Sequence, residues 1–276
     1  MLTKFCYGFK ITNGDKMNLK PKQITKECKR VYPVIVNCVD STNRIAKDLV
    51  LNGAKEGTLI IAKKQTAGRG RLQKTFYSPF GGIYMSLILK PKKNLNDTVF
   101  ITVAAAVAIS QSIENICGKK CSIKWVNDIY IDEKKVCGIL TEGCFSSNKE
   151  FPEYAVLGIG INLIKPKGGF PDDISGIADA VIDRRHVSKK LRTKLISDFL
   201  KRFFLLYDSI EKKEYLEEYK KRSFLIGKEI EYIHPDGIFH TAKVLGIDDD
   251  ATLLIEENKE QKKLIAGEIK IKWKNG

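Results

Sequence analysis

Four short stretches carry most of the side chains in this sequence that could do chemistry. The first is Gly68-Arg69-Gly70-Arg71-Leu72-Gln73-Lys74-Thr75-Phe76, which runs into Tyr77-Ser78-Pro79-Phe80-Gly81-Gly82. Glycine lets a backbone approach a ligand closely and adopt positive φ. Arginine beside it offers a rigid cationic fork to phosphate or carboxylate. A loop of this composition can close over an anionic ligand. The second stretch is Lys124-Trp125-Val126-Asn127-Asp128, tied by a short hairpin to Lys135 and Gly138. The third, Gly158-Ile159-Gly160-Ile161-Asn162, ends an apolar run. The fourth, Asp40-Ser41-Thr42-Asn43, supplies hydroxyls and helix-cap chemistry.

Several chemistries are excluded by the same reading. Gly158-Ile159-Gly160 lacks the third glycine and following helix of a dinucleotide fingerprint. There is no Gly-Lys-Ser/Thr phosphate loop. The seven cysteines include no Cys-x-x-Cys pair, and the three histidines are isolated. No structural zinc or other resident metal is expected, and the cysteines read as reduced core residues. The net charge of +15 invites a nucleic-acid reading. The lysines, however, are scattered and alternate with acids, which describes a lysine-rich surface. The surplus still suits steering of an anionic nucleotide or an acidic protein partner. The longest apolar run, from Phe100 to Ile109, is too short to cross a bilayer. With no leader-like amino terminus, the expectation is a cytoplasmic protein without a membrane partner.

Elements that would position these groups can be placed by pattern. Strands are expected at Pro33 to Val39, Gly57 to Ala62, Ile83 to Lys90, Ser122 to Trp125, Asp128 to Asp132, Val136 to Cys144 and Tyr154 to Ile161, with a hairpin at Glu133-Lys134. Helices are expected at Ile45 to Asn52, Val99 to Ile116, Leu191 to Ile210 and Glu214 to Arg222. After Gly227 the period becomes alternating. Lys228 to Tyr232, Phe239 to Gly246, Thr252 to Glu256 and Leu264 to Ile271 read as strands of a small barrel.

Taken together and in this order, the motifs resemble those of the biotin protein ligase family. Its catalytic domain typically shows Asp-Ser-Thr-Asn, Gly-Arg-Gly-Arg…Ser-Pro-x-Gly-Gly, Lys-Trp-Pro-Asn-Asp, Lys-x-x-Gly-Ile-Leu and Gly-x-Gly-x-Asn. The resemblance covers Val34 to Ile271. It implies an α+β fold: a mixed-sheet catalytic domain of the class II biotin/lipoyl ligase type with helices packed on it, followed by a small SH3-like β-barrel. The implied organisation is an extension over 1–33 without a DNA-binding domain, a biotin- and ATP-binding catalytic domain over 34–222, and the barrel over 223–276.

The activity the resemblance implies has two steps. Biotin and ATP, as substrates with Mg2+ as nucleotide counter-ion, give biotinyl-5'-AMP. A lysine of a biotin carboxyl carrier protein, as in acetyl-CoA carboxylase, then displaces AMP. The resemblance assigns Ser41, Thr42, Asn43, Gln65, Gly68, Arg69, Gly70, Arg71, Lys135, Gly138 and Gly158 to biotin. It assigns Arg71, Lys74, Phe76, Lys124, Trp125, Asn127, Asp128 and Asn162 to ATP, and makes Lys135, Arg69, Arg71 and Asp128 the catalytic set. Gly138 and Gly158 are expected to leave space for the bicyclic ring, and a homodimer is possible.

Three departures are visible. Val126 stands where the family commonly has proline, Gln73 where it has glycine and Lys74 where it has arginine. Two other readings compete. A lipoate or octanoate ligase or transferase shares the fold but usually carries an Arg-Arg-x-x-Gly-Gly-Gly loop, absent here. A biotin-responsive nucleic-acid-binding regulator would need a helix-turn-helix domain of about 60 residues, for which residues 1–33 leave no room.

Overall fold

The structure, a computed structural model, describes residues 19–91, 97–144, 153–188, 190–233, 237–265 and 269–271. The described chain begins by packing rather than trailing. Helix α1 (Pro21–Glu27) starts with proline at its first turn, where no amide proton is needed. Leu19, Ile24, Cys28 and Val31 are all buried in the main core. This part of the expected extension therefore lies against the catalytic sheet, and residues 1–18 of that expectation fall outside the described residues.

Strand β1 (Tyr32–Val39) leads through helix α2 (Thr42–Leu51) to β2 (Thr58–Gln65), which pairs with β1 in parallel. Strand β3 (Ile83–Leu89) turns antiparallel, and every one of its residues is buried. Helix α3 (Asp97–Cys117) follows, then β4 (Ser122–Lys124), β5 (Asp128–Ile131), β6 (Lys134–Cys144) and β7 (Tyr154–Ile161). The sheet order is β1-β2-β3-β7-β6-β5-β4. It is mixed, with one parallel pair and five antiparallel ones.

Alternation along these strands sends side chains to two apolar layers. On one face Val36, Val39, Ile60, Ala62, Ile88 and Val156 meet Ile45 and Ala46 of α2. On the other, α3 lies between the sheet and helices α5 (Leu191–Asp208) and α6 (Tyr215–Arg222). Its alanines permit close approach, and residues 103–109 are all buried. By length and composition this helix could cross a bilayer, being longer than the apolar run read from the sequence. Its burial beneath α5 and the sheet accounts for that composition. The single turn α4 (Asp172–Ser175) sits in the connection between β7 and α5.

The small β unit expected at the carboxy-terminal end is a second, wholly antiparallel sheet. It contains β8 (Glu229–Ile233), β9 (Phe239–Ile247), β10 (Leu253–Glu257), β11 (Glu260–Leu264) and β12 (Ile269–Ile271), in the order β11-β10-β9-β8-β12. The strand expected from Leu264 to Ile271 is a correction. Its two ends belong to different strands, β11 pairing with β10 and β12 with β8. The sequence Glu-Gln-Lys-Lys-Leu has no apolar alternation and hides β11. Its turn is made by Asn258 and Lys259, both at positive φ, as a two-residue hairpin requires. The β5–β6 hairpin likewise turns at Asp132 and Glu133, both at positive φ, one residue earlier than expected.

Candidate active site

A cleft of about 700 Å³ opens over the β2, β6 and β7 end of the first sheet. At one end, Ser41 caps α2, its hydroxyl accepting from the Arg44 amide at 3.4 Å. This capping points Thr42 and Asn43 inward, where both are buried. The Thr42 amide donates to Gln65 Oε1 at 2.7 Å, and the Thr42 hydroxyl lies 3.0 Å from the same oxygen. Gln65 Nε2 donates to the Ser78 hydroxyl at 2.9 Å, which donates to the Phe76 carbonyl at 2.8 Å. Uncharged donors and acceptors therefore line this end.

The other end is ionic. Lys135 Nζ lies 2.7 Å from Asp128 Oδ1, a pair set up by the β5–β6 hairpin. Arg71 Nη1 donates to Asn127 Oδ1 at 3.3 Å, and its guanidinium stands 6.0 Å from the Trp125 ring centre. Burial pulls the Arg71 pKa below its ordinary value, and the charge of Asp128 opposes that pull. An arginine keeps its charge under such a shift. Asn127 is itself fixed, donating from Nδ2 to the Ile139 carbonyl at 2.7 Å. Asp128 thus pairs directly with Lys135 while its charge also acts on Arg71.

Between the two ends the loop folds over. Arg69 and Thr75 form an isolated antiparallel bridge, and the Phe76 amide donates to the Gly68 carbonyl at 2.9 Å. Leu72 and Gln73 both adopt left-handed φ, of 52° and 59°. A glutamine thus holds a backbone shape that favours the glycine common at that position. Phe76 lies above Gly138 and Gly160, edge-on to Tyr84 with ring centres 6.4 Å apart. Arg69 and Lys74 line the cleft from exposed positions.

All but one of the sequence-selected residues line this cleft: Ser41, Thr42, Asn43, Gln65, Arg69, Gly70, Arg71, Lys74, Phe76, Lys124, Trp125, Asn127, Asp128, Lys135, Gly138, Gly158 and Asn162. Gly68 is the exception. A Cβ there would meet the Phe76 carbonyl at 2.4 Å and the Ser78 hydroxyl at 2.6 Å, so its role is to let the loop fold on itself. The space over Gly158 is also a correction, because the Asn43 carboxamide occupies it, 2.0 Å from where a Cβ would lie. Lys124 and Trp125 also bond to main-chain oxygens of the carboxy-terminal unit. Lys124 Nζ donates to the Ile269 carbonyl and Trp125 Nε1 to the Ala251 carbonyl, both at 2.7 Å.

Residues 170–178 were missed. Phe170, Ile174 and Ile177 line the cleft, and the Lys135 amide donates to the Ile177 carbonyl at 2.8 Å. The only signal was Pro171-Asp172-Asp173, a helix-start pattern before a single turn.

Comparisons with known proteins identify the family. The Biotin/lipoate A/B protein ligase family matches residues 35–162, and the Biotin protein ligase C terminal domain matches residues 225–271. The bifunctional ligase/repressor BirA of Bacillus subtilis is 37% identical over 243 residues, covering 84% of this chain and 72% of that protein. Biotin--[acetyl-CoA-carboxylase] ligase of Paracoccus denitrificans is 33% identical over 135 residues, 48% of this chain and 53% of that one. Among solved structures, the biotin protein ligase from Aquifex aeolicus in complex with biotin and ATP superposes with a TM-score of 0.69 at 25% identity. It covers 87% of this chain and 98% of its own. Sequence, sheet order and cleft point the same way, and this chain belongs to the biotin/lipoate A/B protein ligase family, among its biotin protein ligases.

Proposed function

We propose that this protein activates biotin with ATP and transfers it to a lysine of a biotin carboxyl carrier domain. One observation carries the reading: a single cleft joins a neutral, hydrogen-bonding end to a cationic end under one glycine–arginine loop. A cyclic urea needs uncharged partners, which Ser41, Thr42, Asn43 and Gln65 supply. A carboxylate meeting a triphosphate needs cations where their charges converge.

In the first step a biotin carboxylate oxygen attacks the α-phosphorus of ATP and pyrophosphate leaves. Lys135 and Arg71 stabilise the charge that gathers there, while Asp128 holds the Lys135 ammonium in place. Asn127 orients Arg71, and Asn162 and Lys124 face the nucleotide. Mg2+ enters as the counter-ion of the triphosphate. Among the described residues no group of three or more His, Cys, Asp or Glu is placed to hold a resident ion. In the second step the neutral acceptor amine attacks the acyl carbon, AMP leaves with the bonding electrons, and the amine gives up a proton to solvent. Arg69, Lys74 and the loop backbone retain the anionic intermediate until then. The neutral end suits the urea of biotin better than the dithiolane of lipoate. The location proposed for this reaction is the cytoplasm.

Incubation with ATP, magnesium, biotin and a carrier domain should add one biotinyl group to one carrier lysine, read by mass spectrometry. Absence of transfer at every carrier concentration, with a carrier that a known ligase does modify, refutes the proposal.

A further inference from the structure

Behind the neutral end of the cleft lies a chain of polar groups that reaches the edge of α2. Asn43 Nδ2 donates to Glu142 Oε2 at 2.8 Å and to the Leu140 carbonyl at 3.3 Å. The other carboxylate oxygen, Glu142 Oε1, is 2.5 Å from Lys47 Nζ. Lys47 stands four residues after Asn43, so α2 presents both donors on one face toward β6. Neither Glu142 nor Lys47 lines the cleft.

The bond from Asn43 to Glu142 fixes the direction of this chain. Ser86 Oγ lies 2.6 Å from Asn43 Oδ1 and 2.7 Å from Thr42 Oγ1, with all three residues buried. A hydroxyl has one proton, and a carboxamide oxygen can only accept. With Asn43 Nδ2 directed to Glu142, the Ser86 proton goes to Asn43 Oδ1, and the Thr42 proton is shared between Ser86 Oγ and Gln65 Oε1, 3.0 Å away. Turning the Asn43 carboxamide over would set its oxygen against the Glu142 carboxylate and its NH2 over Gly158. Glu142 prevents this, and only a carboxylate can do so here. Its two oxygens accept from Asn43 and Lys47 at once, whereas an amide has a single acceptor.

We propose that Glu142, held by Lys47, is a positioning residue for the biotin head group. It locks Asn43 so that the cleft wall over Gly158 presents an oxygen acceptor to the urea N–H groups, with Thr42 Oγ1 lone pairs beside it. The inference rests on the biotin-ligase reading above.

The test uses an isosteric change and its suppressor. In Glu142→Gln the Lys47 ammonium claims the single amide oxygen, so the Gln NH2 faces Asn43 and drives it over. Biotin KM and the calorimetric biotin Kd should rise about tenfold or more, with kcat at saturating biotin and the KM for ATP within about twofold. Removing the competing cation should let the Gln oxygen return to Asn43. The double variant Lys47→Met/Glu142→Gln should therefore bind biotin within about threefold of the wild type. Lys47→Met alone is the control and should lose less than Glu142→Gln. A Glu142→Gln protein that binds biotin as well as the wild type overturns the proposal, as does a double variant no better than Glu142→Gln. A wild-type protein that does not bind biotin overturns the functional reading and this inference together. Binding by the wild type with an indifferent Glu142→Gln overturns this inference alone.

Discussion

Gly160 sits directly under the Phe76 ring, and adding one methyl group there tests how the loop is held. A Cβ at Gly160 would lie 2.5 Å from Phe76 Cε1 and 2.9 Å from both Cδ1 and Cζ. Carbon atoms rest at about 3.5–4.0 Å, so the ring must retreat by roughly 1 Å. Gly160 itself is fixed in the ladder between β3 and β6, so the loop residue is the one that moves. Retreat disrupts the edge-on packing against Tyr84 at 6.4 Å and the Lys135 contact at 5.9 Å from the ring centre. Such contacts contribute about 0.5–1.5 and about 0.5–1 kcal/mol. The closed loop should thus be disfavoured by about 1–2.5 kcal/mol, a factor of roughly 5–70. We predict that Gly160→Ala releases biotinyl-AMP faster by a factor in that range, measured by trapping the adenylate from enzyme preloaded with labelled biotin. The same change in a Phe76→Ala background should cost little, because the clash partner is gone. Equal costs in the two backgrounds would show that the ring does not hold the loop.

Three further outcomes follow from other parts of the structure. Lys135→Met should slow adenylate formation about 100- to 1000-fold in single-turnover assays while biotin still binds, and Asp128→Asn in that background should not slow it further; a loss confined to biotin affinity contradicts the assigned role. Trp125→Phe removes the indole donor to the Ala251 carbonyl and should lower stability by about 0.5–1.5 kcal/mol, seen as a midpoint shift in denaturant unfolding; an unchanged midpoint counts against the bond. The third concerns pH. Bonds from Lys262 and His240, with a further one from Tyr232, hold the Glu257 carboxyl at about 2, below its ordinary 4.5. A depressed carboxyl pKa stabilises the fold fully above the unfolded value and loses that contribution as pH falls through the folded one. Unfolding followed from pH 5 to pH 2 should show this loss, and Glu257→Gln should flatten it; an identical acid limb in that variant refutes the assignment.

How much could be read from the sequence depended on whether a residue's partners were local. Asp40-Ser41-Thr42-Asn43 announced α2 because capping is local in sequence, and in the structure Ser41 caps the helix through the Arg44 amide. Strand β3 and helix α3 declared themselves by their largely apolar composition. Helix α1 offered only Ile24 as a buried apolar position, too few for any period to show. The segment at 170–178 is held by a backbone bond to distant β6 and strand β11 by backbone bonds to neighbouring β10, and such bonds leave no trace in side-chain pattern. At the site, residue types were legible while occupancy of space was not. Gly158 was recognised, but what fills its missing side chain is Asn43, more than a hundred residues earlier. The left-handed turn at Leu72 and Gln73 was equally invisible, since neither residue advertises that conformation.

The second sheet touches the turn at Lys124 and Trp125 through main-chain oxygens, those of Ile269 and Ala251. A carbonyl survives almost any exchange of its own side chain. The two sides of this junction are therefore unequal in what they tolerate. The small sheet can drift widely in sequence and keep its grip, whereas the lysine and tryptophan that reach into it have no such latitude.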